Sequence, residues 1–211
     1  HTWTYTNVVA KSSNWSDPFV EIRRAAYIIE GVRSSFLDNA VKANYEGIAR
    51  LNRAWEYFQL VRMYGDVQWI DKVIDSNDKE TLLAERTDRD IVMDNVLDDL
   101  KYACENMTGT NKQRFNKDMA LAMTADICLW EGTFCKYRTQ NENGKAADNT
   151  RAQKFLQECV IACEALMAKN YKLRKIINPS ITRSTSPRIR KSFSTNLTPK
   201  MPSCIPLSII Q

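Results

Sequence analysis

Hydrophobic residues recur every three or four positions over several long stretches of this chain, which is the spacing of one face of an α-helix. The first stretch begins at Asp17, a favoured capping residue, and Pro18, which suits the first helical position, and it runs to about Asn39. Residues 1–16 have no helical period and are rich in Thr, Ser, Asn and Trp. They are predicted to form an ordered loop or a short extended segment.

A second helix is predicted over residues 44–64. Two apolar stripes run along it, which indicates burial on two sides, as for a helix inside a stack. Gly65 and Asp66 are expected to end the helix, and residues 67–73 are predicted to leave it as a short extended segment.

Three more helices are predicted downstream. Thr87 is expected to cap the first of them, with Asp90 three residues later in the position of a capping box. Asn116 is expected to cap the next one. The three helices cover residues 87–106, 117–137 and 150–169.

Five long helices without a convincing strand hairpin predict an all-α fold. Residues 18–39 would pair with 45–64, and residues 117–137 with 150–169, as antiparallel hairpins with alanines where the backbones approach. We therefore predict a tetratricopeptide-like helix-hairpin stack. The repeat does not fit the tetratricopeptide consensus cleanly, so a plain helix bundle is the alternative.

The composition agrees with a globular, mainly helical chain. Of the 211 residues 44% are hydrophobic and 26% charged, and only six glycines and six prolines argue against a many-turned β fold. No run of about 18 apolar residues is present to span a bilayer.

The formal charge of +5 comes from the last part of the chain. Residues 174–211 hold seven basic residues, no acidic residue and five of the six prolines, whereas residues 1–173 carry a small net negative charge. A nucleic-acid-binding surface on the folded part is therefore not supported. We expect two parts, a helical region over 1–173 and a tail over 174–211 that is disordered or foreign to the fold.

The motif search yields no catalytic or metal-binding candidate. The single histidine is His1, the six cysteines form no C-x-x-C pair, and the common nucleophile, phosphate-binding and zinc-protease motifs are absent from the sequence. The cysteines are expected to be small buried residues rather than a disulfide framework. Asp98 and Asp99 are adjacent on one helix and face apart, and both are predicted to be surface charges. We therefore predict a non-enzymatic protein without cofactor or metal.

Aromatic residues in the non-helical stretch give the best candidates for a binding site. Flat rings beside amide and hydroxyl groups suit sugars, whose C–H faces stack while their hydroxyls form hydrogen bonds. The alternative is that these rings pin the loop onto the helices. Trp55 and Trp130 lie within helical stripes and are predicted to be core residues. The predicted ligand-binding residues are Trp3, Tyr5, Asn14, Trp15 and, more weakly, Trp69.

Four stretches of the chain follow one another in a recognisable order. They are Asn14-Trp15 leading to EIRRAAYIIEGV (21–32), ARLNRAWEYFQLVRMYGDVQWID (49–71), ERTDRDIVMDNVLDDLKYA (85–103) and NKDMALAMTADICLWEGTF (116–134). The RAWEYFQLV helix that closes on YGDV is the most specific of them. Together, over residues 14–173, they resemble the SusD/RagB family of outer-membrane nutrient-binding lipoproteins.

The chain departs from that family in four places. Gln68 stands where the family usually has proline, and Asp126 where a basic residue is common. The lipobox cysteine and the first family helix are missing at the front. After Leu173 the resemblance stops, and the acid-free tail is what a reading-frame shift would produce. Translation of the other frames past codon 173 tests this hypothesis, because a family-like continuation should appear there.

The resemblance implies a surface-exposed lipoprotein of the outer membrane, held by an N-terminal lipid anchor that this chain lacks. Such proteins capture a glycan, or in some members a peptide, and deliver it to a SusC-like TonB-dependent transporter. Much of the family's ligand site comes from a later part of the chain. The function expected here is non-covalent glycan capture. The alternatives are a peptide-binding RagB-type member or a helical scaffold that binds other proteins without a ligand.

Overall fold

A computed structural model describes residues 13–75, 77–109, 114–141, 143–169 and 171. The chain divides into two units, residues 1–169 and 170–211, and every described helix lies in the first. The predicted tail over 174–211 falls outside the described residues, as do residues 1–12 of the loop predicted over 1–16.

The described part of the first unit is helical. A single antiparallel bridge, between Val67 and Thr87, is its only strand-like pairing. The predicted all-α fold class is therefore confirmed. The six helices are α1 (Ser13–Ser34), α2 (Asn39–Tyr64), α3 (Lys79–Leu82), α4 (Arg89–Asn106), α5 (Lys117–Tyr137) and α6 (Asn149–Met167).

The long helices pack in a series, α1 on α2, α2 on α4, α4 on α5 and α5 on α6. At two of these contacts a glycine allows the neighbouring chain segments to approach closely. A Cβ added at Gly132 of α5 would stand 2.6 Å from Leu156 Cγ of α6, and one at Gly47 of α2 would stand 2.8 Å from Met107 Cγ after α4. Most of the buried apolar residues form one core between α2, α4, α5 and α6.

The start of α1 was predicted wrongly. The helix begins at Ser13, so Asp17 does not cap it and Pro18 lies inside it. The reason is that Trp15, Phe19 and Ile22 are four and three residues apart and extend the apolar face towards the N-terminus. The helix also ends at Ser34 rather than near Asn39, where α2 already begins.

The predicted cap of α4 is wrong by one residue, whereas that of α5 is confirmed. Asp88, not Thr87, occupies the N-cap, and its carboxylate accepts from the backbone N–H of Asp90 at 2.8 Å. Asn116 accepts from the N–H of Met119 at 2.8 Å. The short α3 had no counterpart among the predicted helices.

Asp99 was predicted to be a surface charge and is instead buried, with a relative exposure of 1%. Its carboxylate accepts from Nε and Nη2 of Arg53 at 2.7 and 2.8 Å. The buried arginine from α2 explains the difference, because a buried carboxylate requires such a partner.

Candidate functional site

The structure locates three of the five predicted ligand residues. Asn14 and Trp15 lie in the first turn of α1, so their predicted non-helical setting is wrong. Asn14 is exposed and Trp15 half-buried. Trp69 is half-buried in the connection between α2 and α4. The other two, Trp3 and Tyr5, lie outside the described residues.

The indole of Trp15 is surrounded by three side chains. Its centroid lies 4.9 Å from that of Tyr64 in an edge-to-face arrangement at 88°, and 5.2 Å from that of Phe19. The guanidinium carbon of Arg86 lies 5.2 Å from the indole centroid. The ring is therefore fixed against the helices and also covered by a cation.

The indole of Trp69 is held in a similar way. Its centroid lies 4.2 Å from that of Tyr57, and the guanidinium of Arg53 stands 5.2 Å from it. The Tyr57 hydroxyl accepts from the N–H of Ile70 at 2.6 Å, and burial raises the pKa of this phenol. The backbone N–H of Trp69 donates to Thr87 Oγ1 at 3.2 Å.

The two tryptophans thus contact consecutive residues, because the Trp15 indole lies beside Arg86 and the backbone N–H of Trp69 donates to Thr87. We name Asn14, Trp15 and Trp69 with this pair the tryptophan site. The site can offer aromatic surface, an exposed amide and a guanidinium, which suit a hydroxyl-rich ligand. The sequence pointed to the rings, whereas it did not indicate that Arg86 and Thr87 contact these tryptophans, because those contacts form only through the fold.

A network of buried ion pairs lies directly after the tryptophan site. The Arg89 guanidinium donates to both carboxylate oxygens of Glu131, at 3.1 and 2.5 Å. The Arg138 guanidinium likewise donates to both carboxylate oxygens of Asp90, at 3.0 and 3.1 Å. Burial would raise the pKa of Asp90, but the Arg138 hydrogen bond and the nearby arginines hold it below its ordinary value. Arg151 completes this α4–α5–α6 network with a bond to the backbone oxygen of Asp90 at 2.5 Å.

The YGDV signature has a structural role beside this network. Gly65 ends α2 with a φ of 69°, a left-handed conformation that favours glycine. The carboxylate of Asp66 then accepts from the backbone N–H of Arg89 at 2.8 Å, at the start of α4. The signature therefore joins two helices of the stack.

A second network joins α1, α2 and α4. Arg33 donates to both oxygens of Glu46 at 3.0 and 2.6 Å, and Arg50 lies between Glu46 and Asp99, at 2.7 and 3.4 Å. Arg53 on Asp99 closes this α1–α2–α4 network. Burial raises the pKa of Asp99 in spite of Arg53, whereas arginine hydrogen bonds outweigh burial at Glu46 and lower its pKa.

One group of metal-ligand types occurs among the described residues. Asp90, Glu131 and Cys135 bring their ligand atoms within 4.8 Å of one another. Arginines already neutralise both carboxylates, and the thiol of Cys135 donates to Glu131 at 3.2 Å. Burial, with the Glu131 charge, raises the pKa of that thiol to about 12, which opposes the thiolate a metal needs. The group therefore fits a structural ion-pair cluster.

Two open grooves of about 540 and 610 Å³ lie along α6 and at its start. The first is mainly lined by residues of α6, including Leu156 and Val160, and the second includes Arg138 and Lys145. Neither groove borders the tryptophan site. None of the described helices combines the length and apolarity needed to cross a membrane.

Comparison with known proteins identifies the family. Residues 1–129 match a SusD-like family model described as starch-binding and associating with the outer membrane. SusD-like protein P2 of Formosa agariphila is 31% identical over 121 residues, which cover 53% of this chain and 24% of that protein.

Solved structures agree on the fold. A SusD superfamily protein from Parabacteroides distasonis superposes with a TM-score of 0.63 at 21% identity, over 76% of this chain and 32% of that one. A laminarin-binding SusD-like protein gives 0.54 at 22% identity, over 71% and 30%. The chain thus spans about a quarter to a third of the length of these proteins, and it belongs to the SusD-like family.

Proposed function

We propose that this chain is the helical part of a surface lipoprotein that captures glycan at the outer membrane and delivers it to a SusC-like TonB-dependent transporter. The family description, starch-binding and associating with the outer membrane, supports the ligand class and the location. A fold neighbour that binds laminarin supports the same ligand class. The observation that carries the proposal is the tryptophan site, where Trp15, next to the exposed amide of Asn14, and Trp69 contact the consecutive residues Arg86 and Thr87.

The mechanism is non-covalent capture. An indole presents a flat apolar surface to the C–H face of a sugar, and the Asn14 amide can both donate to and accept from sugar hydroxyls. Trp15 and Trp69 are already held by neighbouring side chains, so little side-chain entropy is lost when a sugar binds. Trp3 and Tyr5 are proposed as further ligand contacts.

The charged residues favour binding over bond cleavage. Glycoside hydrolysis needs two carboxyl groups that face the sugar. The buried carboxylates Asp90, Asp99 and Glu131 each accept from arginine instead. We therefore propose that the bound glycan leaves unaltered.

The direct test is a glycan array followed by calorimetry on the full-length protein. Asn14→Ala and Trp15→Ala should each weaken glycan binding, the second by about tenfold, because it removes one stacking platform. Asn39→Ala is the matched control, since Asn39 is also exposed in the first turn of a helix. Unchanged affinity in the Asn14 and Trp15 variants would remove these residues from the site.

Delivery to a transporter is tested separately. The full-length protein should co-purify with a SusC-like TonB-dependent transporter of the same bacterium, and uptake of the captured glycan should need both proteins. A protein that binds the transporter but no glycan would instead be a scaffold, and one that retains peptides would be a RagB-type member.

A further inference from the structure

Arg86 covers the ring that the proposed function needs. Its guanidinium carbon lies 5.2 Å from the Trp15 centroid, within the range of a cation–π contact. A sugar that stacks on this face of the indole needs the same space, and the Tyr64 and Phe19 rings lie only 4.9 and 5.2 Å from the Trp15 centroid. A sugar and Arg86 therefore compete for one surface.

Arg86 is held more weakly than the other arginines around it. Arg53 and Arg89 each bind a carboxylate with two hydrogen bonds and are buried. Arg86 is exposed, and among the described residues it has no carboxylate partner. Its guanidinium can leave the ring without exposing an unpaired buried acid, because an exposed cation is rehydrated by water.

We infer that Arg86 acts as an autoinhibitory latch on Trp15, which a glycan must displace before it can stack on the covered face. The inference rests on the proposed function, because it assumes that Trp15 is a ligand residue. Arg86 immediately precedes Thr87, which anchors Trp69. Displacement of the latch therefore links the two halves of the tryptophan site.

The latch predicts that its removal strengthens binding. Arg86→Gln should lower the Kd for maltooligosaccharide or laminarin oligosaccharide about two- to fivefold, since an exposed cation–π contact no longer has to be broken. Arg62→Gln is the matched control, because Arg62 is also exposed and lies 5.2 Å from the Phe58 ring, away from Trp15. That control should leave the Kd unchanged.

Fluorine NMR on the full chain labelled with 5-fluorotryptophan tests the contact itself. The Trp15 resonance, assigned with Trp15→Phe, should shift in ligand-free Arg86→Gln and stay in place in Arg62→Gln. Addition of oligosaccharide to the wild type should move it in the same direction. This measurement needs only a folded chain, which the dispersion of the other tryptophan resonances reports.

The outcomes separate the two ideas. Wild-type affinity in Arg86→Gln, weaker binding, or an unmoved Trp15 resonance overturns the latch and leaves glycan capture intact. If neither oligosaccharide nor any array glycan binds the wild type or Arg86→Gln, the proposed function fails, and the latch fails with it. Tighter binding together with the fluorine shift supports both.

Discussion

The two buried ion-pair networks use the same chemistry, but water reaches the Arg33–Glu46 pair of one and not the Arg89–Glu131 pair of the other. In the α1–α2–α4 network the side chain of Arg33 is 56% exposed, although Glu46 beneath it is 8% exposed. In the α4–α5–α6 network, Arg89 and Glu131 are 1% and 0% exposed. When a partner is removed from the first network, water can solvate the remaining charge. Water cannot solvate the Arg89–Glu131 pair in this way, so removal of Glu131 costs more than removal of Glu46.

The α4–α5–α6 network also lies next to the tryptophan site along the chain. Arg86 contacts the Trp15 indole and Thr87 the Trp69 backbone, and Arg89 is anchored two residues later by Glu131 and by the Asp66 carboxylate. The start of α4 is thus a rigid base for the candidate site. We expect substitutions in the α4–α5–α6 network to change ligand binding only by unfolding the protein.

Glu131→Ala should give the largest effect. It leaves the buried Arg89 guanidinium with the Asp90 carboxylate alone, which Arg138 also binds. We expect a loss of about 3 kcal/mol in the free energy of unfolding, at the lower end of the cost of breaking a buried ion pair. Urea denaturation followed by circular dichroism measures this. The control is Glu164→Ala on the exposed face of α6, which should stay within about 0.5 kcal/mol. A similar, small loss in both variants would show that Arg89 is solvated in solution.

Glu46→Ala is the matching change in the α1–α2–α4 network. We expect it to lower the free energy of unfolding by about 2 kcal/mol, because three arginine hydrogen bonds are lost while Arg33 stays hydrated. The comparison is sharpened by salt. At 1 M NaCl the effect of Glu46→Ala should shrink, whereas that of Glu131→Ala should persist, since screening acts on groups that water reaches. Equal salt sensitivity would contradict the difference between the networks.

The two networks also mark what the sequence could not reveal. Periodicity identified α2, α5 and α6 to within a few residues, because each has a continuous apolar face. It placed Asp99 on the surface, since spacing along one helix does not reveal which other helix packs there. Arg53, the partner of Asp99, is 46 residues away.

The candidate site was predictable in the same limited sense. Aromatic type and neighbouring amides singled out Trp15, but the residues that surround its ring, Tyr64 and Arg86, come from distant parts of the chain. Local composition therefore predicted the chemistry of the candidate residues. It could not predict which neighbouring side chains already contact their rings.

Gly132→Ala tests the packing of α5 on α6 beside the α4–α5–α6 network. The added Cβ would stand 2.6 Å from Leu156 Cγ and 3.2 Å from the backbone oxygen of Ala152, so the α5–α6 contact must open. Overpacking costs about 1–3 kcal/mol, against about 1 kcal/mol gained from helix propensity, for a net loss of about 1 kcal/mol. Gly31→Ala in α1 has open space and should stabilise by up to about 1 kcal/mol. Thermal unfolding compares the two, and a gain in both would mean that α5 and α6 separate easily.

The smallest expected effect concerns Glu56, a half-buried carboxyl of α2. Burial, with the charge of Glu21 on α1, raises the pKa of Glu56 to about 7. The folded state therefore binds a proton more tightly than the unfolded state, so stability falls as the pH rises from about 4.5 to 7 and then levels off. Glu56→Gln should match the wild type at pH 4 and exceed it by up to about 1 kcal/mol at pH 8, a value reduced by partial exposure to water. Urea titrations at the two pH values measure this, with Glu164→Gln as the exposed control. A pH-independent difference would mean that the Glu56 carboxyl is solvated. Water would then reach the α1–α2 contact at Glu56 as it reaches Arg33.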